Sequence, residues 1–177
     1  MFQDIGVGIF ISILASHFGG VPLSVVLVAW CVACSLVPDI DLVLPPWLVG
    51  GHHGLTHYPA TQLAVSVGVF AMLGPLWAAT YLAAVFAHIA HDTIFLGWGI
   101  KWFWPLSQRS FKFFPDKGGV ITSQILLSFL PEEEERLKQV YGSPHWIRMF
   151  YFRPSIVSVS EYAILLASLM CLYLYTR

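Results

Sequence analysis

Charge is the first thing this sequence is short of. Only 11% of its 177 residues are Asp, Glu, Lys or Arg, nine basic against ten acidic, for a net charge of -1 at pH 7. A surface that meets nucleic-acid phosphates needs clustered Lys and Arg, so direct nucleic-acid binding is not expected. Cysteine is scarce as well. The three present, Cys31, Cys34 and Cys171, are an odd number and all sit in apolar runs, which argues against a disulfide framework. Cys31 and Cys34 have zinc-finger spacing but no second pair, and their apolar surroundings mark them as small packing residues. The opening residues Met1-Phe2-Gln3-Asp4 lack the Lys or Arg of a signal peptide, so the first apolar run is expected to remain as a helix. No P-loop, dinucleotide fingerprint or serine nucleophile elbow is present.

Apolar residues are what the chain has in quantity: 57% of it is hydrophobic, with a mean hydropathy of +0.72. Such a composition departs far from that of an ordinary soluble domain, and long uncharged runs indicate membrane helices. The expected fold is all-α, a polytopic membrane helix bundle of about five apolar helices at residues 5–18, 21–37, 59–73, 76–95 and 156–175. The chain reads as one membrane-embedded domain, 1–177. Residues 1–106 form its core helices, 107–155 a polar segment, and 156–177 the last transmembrane helix. Trp98, Trp102, Phe103 and Trp104 with Lys101 resemble an interfacial belt. Proline followed by acids at Pro131 to Glu135 fits the start of a surface helix.

Eight of the nine Lys and Arg residues (101, 109, 112, 117, 136, 138, 148 and 153) fall between the fourth and fifth runs. The positive-inside rule makes that segment cytoplasmic. Two helical hairpins then place the N-terminus and the 39–58 loop on the same, cytoplasmic side of a cell inner membrane.

Two clusters carry the chemistry. Asp39 and Asp41 follow Pro38, with His52, His53 and His57 further along the loop; His88, His91 and Asp92 close the fourth run. His88 and Asp92, four apart, share a helix face, and ionisable groups at membrane depth are costly and usually functional. Asp39 and Asp41 repel one another unless a cation or proton lies between them; the other reading is a pair of turn-forming caps. Gly50, Gly51 and Gly54 give the backbone the freedom to bring His52 and His57 to one point. The candidate metal ligands are therefore Asp39, Asp41, His52, His57, His88 and Asp92, with Asp39, Asp41 and Asp92 as candidate acid–base groups. This donor mixture suits a divalent metal, zinc above calcium, in one or more ions. A water of lowered pKa would be the nucleophile, with an Asp as its base.

Pro38-Asp39-Ile40-Asp41, His52-His53-Gly54-Leu55-Thr56-His57, His88-x-x-x-Asp92-Thr93 and Trp104-Pro105-Leu106 together resemble the YdjM-type family. Its members are described as LexA-binding, inner-membrane-associated, metal-dependent hydrolases. The resemblance covers roughly residues 1–115. His53 stands where the family pattern has Arg, and Gln3-Asp4 where it often has Thr-His. The family is in turn distantly similar to zinc-dependent phospholipase C and P1-type nucleases, which implies a phosphoester substrate, a phospholipid among the candidates. Two alternatives stay open. One is a metal-stabilised membrane adaptor that binds a cytosolic protein, LexA-type by resemblance, through residues 107–153. The other is a transporter or ion pathway using intramembrane His and Asp, which Glu161 in the last run keeps open.

Overall fold

The computed structural model describes residues 1–50, 53–94, 98–117, 120–141, 148 and 151–177, with the backbone alone at 116 and 120. Helix α1 (Phe2–Gly19) stops at Gly20, whose φ of 63° is the left-handed conformation of a helix end. Helix α2 (Val25–Leu36) starts on Ser24, whose hydroxyl accepts the Leu27 N–H at 3.2 Å. A 3-10 turn (Pro38–Leu42), a single helical turn α3 (Pro46–Val49) and a second 3-10 turn (Leu55–His57) fill most of the segment read as a loop. Helix α4 (Pro59–Leu73) and helix α5 (Pro75–Ile94) both begin on proline, which suits a first turn.

Helix α1 lies between its neighbours, packing on α2, on α5 and on the last helix, α7 (Ile156–Tyr175). Two glycines make this possible. A Cβ on Gly8 would lie 2.7 Å from Cα of Val32 in α2, and one on Gly6 would lie 3.0 Å from the Ile164 backbone in α7. Small residues that let helix backbones approach are the usual device of membrane helix packing. The apolar core on the other side joins Cys34 of α2 to Tyr81, Ala84 and Val85 of α5, with Trp30, Val37 and Phe86 around them.

Among the described residues, two helices are long and apolar enough to cross a membrane, α1 and α7. The expected bundle of about five is not confirmed, and helix length is one reason. At 12 and 15 residues, α2 and α4 rise only about 18 and 22 Å, against about 30 Å of hydrocarbon. Helix α5 has 20 residues but gives much of its buried face to Thr80, His88, His91 and Asp92.

The described chain is mostly helical, as expected, with two small strand pairs added to the helices. Strands β1 (Ser110–Phe113) and β4 (Leu126–Phe129) pair antiparallel, Ser110 opposite Phe129, and β2 (Asp116–Lys117) pairs with β3 (Val120–Ile121). Alternate residues turn inward, Ser110 and Lys112 on one strand, Leu127 and Phe129 on the other, which is the period of a half-buried ribbon. Helix α6 (Pro131–Tyr141), acidic in its first turn, buries no side chain and is the surface helix the sequence suggests.

Because the α1–α2 contact is backbone against backbone, Gly8→Ala should destabilise the fold by about 1–3 kcal/mol. Thermal unfolding in detergent reads this directly; an unchanged Tm would refute the close approach.

Candidate metal centre

Helix α5 supplies the base of the site. One turn apart on its buried face, His88 Nε2 and Asp92 Oδ2 are 3.3 Å from each other. The 3-10 turn after α2 brings Asp39 Oδ1 to 3.5 Å from His88 Nε2, and the second 3-10 turn brings His57 Nε2 to 3.2 Å from Asp92 Oδ2. His57 Nε2 and Asp39 Oδ1 are 3.9 Å apart. One atom from each of Asp39, His57, His88 and Asp92 thus lies within 4.8 Å of all the others. Zinc bonds to N and O of about 2.0–2.2 Å imply donor–donor edges of about 3.3 Å in a tetrahedron, and the observed separations bracket that value.

The far side of each imidazole is tied down. His57 Nδ1 is 3.0 Å from Asp41 Oδ2, which also accepts from Thr56 Oγ1 and the His53 N–H, each at 3.0 Å. His88 Nδ1 lies 2.8 Å from the Ser35 carbonyl oxygen, with Asp4 Oδ1 at 3.3 Å. A carbonyl only accepts, so Nδ1 of His88 donates and Nε2 turns inward. That nitrogen is buried, makes no hydrogen bond and faces two carboxylates. A lone pair against two anions requires a positive partner, a proton or a metal ion. The residues present therefore fit a divalent cation, held in the imidazole–outer acceptor arrangement that fixes metal-binding histidines.

A polar strut holds the second turn in place. Tyr81 of α5 donates to Gln62 Oε1 of α4, and Gln62 Nε2 donates to the Thr56 carbonyl, next to His57.

Of the six residues expected as ligands, Asp39, His57, His88 and Asp92 converge on one point. Asp41 is placed behind His57 rather than in the cluster, and His52 lies outside the described residues. His53 brings Nε2 to 3.4 Å from Asp92 Oδ2. His91 turns away, with Nδ1 3.4 Å from Asp4 Oδ1 and Nε2 3.3 Å from Glu161 Oε1. Ser35, Gln62 and Tyr81 escaped the sequence reading, and Trp98 was read only as part of an interfacial belt; Ser35 and Trp98 act here through a main-chain carbonyl and N–H, which leave no mark in residue spacing. Cys31 and Cys34 are free thiols buried in α2.

The chain belongs to the YdjM family: the model for this family, the YdjM inner membrane protein, matches residues 2–177. Membership thus extends past the N-terminal motifs through the strands and α7. No curated protein and no solved structure matches the chain.

His57 sits on the 3-10 turn, outside the helices. Burial opposes charge on it, but hydrogen bonds to Asp41 and Asp92 outweigh burial and raise its pKa above the ordinary 6.5. In the metal-free protein a proton therefore occupies Nε2 until the pH exceeds that raised value, and a metal must displace it. Zinc affinity should fall as pH is lowered, beginning above the ordinary imidazole value, with protons released on binding. Calorimetry in buffers of different ionisation enthalpy checks both. Asp41→Asn should weaken binding about 10–100-fold without changing stoichiometry.

Proposed function

We propose that this protein is a membrane-embedded, metal-dependent hydrolase acting on a phosphoester, with a phospholipid as a candidate substrate, at the cytoplasmic face of the inner membrane. The observation that carries this reading is the set of four converging donors, two inward-facing Nε2 atoms and two carboxylates, with the outer nitrogens tied by Asp41 and Ser35. Zinc is the ion this donor set favours. A bound divalent ion supplies a Lewis acid and a water of lowered pKa.

The chain's own residues divide the remaining work. His57 and His88 are held rigidly by their Nδ1 partners. Asp92 Oδ2 is shared between them, at 3.2 and 3.3 Å. Asp39 has its side chain 26% exposed, against 10% or less for the other three. It stands at the open side, so that His57, His88 and Asp92 would hold the ion, as three protein ligands do in a catalytic zinc site, and Asp39 would serve as the base that takes up a proton. The cytoplasmic assignment rests on the eight Lys and Arg residues gathered before α7.

A second reading, a membrane adaptor, draws on α6. That helix carries four consecutive glutamates and buries no side chain, so it offers a charged surface within the segment 107–153 to a cytosolic protein, LexA-type by family resemblance. Deleting that segment would abolish such an interaction, whereas ligand substitutions would leave it intact.

Elemental analysis of protein purified in detergent, without chelator or His-tag, should find at least one equivalent of divalent metal. His88→Ala should lose that metal together with hydrolysis of bis-(p-nitrophenyl) phosphate. Asp39→Asn should lower kcat about 10²–10⁴-fold. Full activity in either variant would sink the hydrolase reading.

A further inference from the structure

His53 lies among the metal-centre residues without sharing their chemistry. Its ring centroid is 4.7 Å from that of His57, and its Nε2 is 3.4 Å from Asp92 Oδ2. By distance alone it would be a third imidazole ligand. The other ring nitrogen decides otherwise. The backbone N–H of Trp98 donates to His53 Nδ1 at 3.1 Å. An N–H can only donate, so Nδ1 keeps a lone pair and the proton of the neutral ring sits on Nε2. This is the opposite tautomer to that of His88, whose Nδ1 faces a carbonyl oxygen. A nitrogen that carries its proton has no lone pair to give a cation.

Two further features hold the ring in this attitude. His53 has a φ of 62°, a left-handed conformation that few residues other than glycine adopt, and its own N–H is fixed by Asp41 Oδ2 at 3.0 Å. The His53 side chain is only 6% exposed, so little water competes for its Nε2–H. Asp41 therefore anchors two histidines at once, the ring of His57 and the backbone of His53.

Resting on the reading of Asp39, His57, His88 and Asp92 as a metal centre, we propose that His53 is not a ligand but a positioning residue, a hydrogen-bond donor whose Nε2–H holds Oδ2 of Asp92 in place. The carboxylate oxygen that both ligand imidazoles approach is thereby oriented from a third side. Removing the donor leaves every ligand present but frees the carboxylate to turn.

Three readouts test this on the full-length protein in detergent. Long-range nitrogen–proton correlation spectra of ¹⁵N-histidine-labelled, metal-free protein, with His53 assigned from the signal lost in His53→Gln, should show the Nε2–H tautomer. This readout needs neither metal nor activity, so it stands apart from the hydrolase reading. His53→Ala should then bind cobalt(II) at the wild-type stoichiometry, with affinity about 10–100-fold lower and altered d–d bands. His57→Ala, as the control, should lose an equivalent of metal. His53→Gln, which restores an N–H donor at the same reach, should recover most of the affinity. An Nδ1–H tautomer, a lost metal equivalent in His53→Ala, or unchanged affinity and spectrum would each overturn the proposal.

Discussion

One carboxylate oxygen of Asp39 and one of Asp92 are brought within 4.8 Å of each other beside two imidazole nitrogens, in a largely buried site. Carboxylates that close repel strongly, and burial amplifies the repulsion. Positive charge is required there, and the surrounding structure is built to direct it. Ser35 and Asp41 occupy the Nδ1 positions, so both Nε2 atoms point at the carboxylates. Burial with outer nitrogens tied makes this arrangement costly without a proton or a cation between the donors. Hydrogen-bonded polar cores satisfy their members, and Nε2 of His88 is not satisfied by any.

The same logic extends through the bundle to α7. Asp4 of α1 lies between His88 and His91, at 3.3 and 3.4 Å, and His91 reaches Glu161 of α7 at 3.3 Å. The three form a line rather than a pocket, because Asp4 and Glu161 face opposite nitrogens of the His91 ring. This cluster adjoins the candidate metal centre through Asp4 and His88. Glu161 is fully buried against α1, where it accepts the Gln3 N–H at 2.9 Å. It ties three helices together at one end of the bundle.

The sequence made much of this legible, and the exceptions have physical causes. Apolar runs located α4 and α7 closely, since proline and serine mark their starts. His88 and Asp92 were readable as a pair because helix geometry fixes residues four apart on one face. Asp39 and Asp41 were readable as important but not as different. On a 3-10 turn, residues two apart point to different sides, and only the tertiary position of His57 shows which carboxylate meets the site and which stands behind it. The strands at 110–129 escaped because segments of two to four residues carry too little alternation to outweigh an apolar average. The link from His91 to Glu161 joins residues 70 positions apart, which no local pattern encodes.

Helix length finally explains where the site sits. Helix α2 rises about 18 Å while α7, with 20 residues, rises about 30 Å, so α2 cannot fill the bundle from end to end. The chain from Pro38 to Tyr58 takes up the difference at the end where α1 and α7 begin. Asp4 in the first turn of α1 and Ser35 in the last turn of α2 meet His88 directly, and Glu161 in the second turn of α7 is linked to it through His91 and Asp4. The four donors are therefore level with the opening turns of the two helices long enough to span. A bilayer crossed by α1 and α7 would have its edge at that level, on the side of the partly exposed Asp39. With α1 and α7 as spans, the shorter α2 would place this charged site at the boundary instead of inside the apolar layer or beyond it.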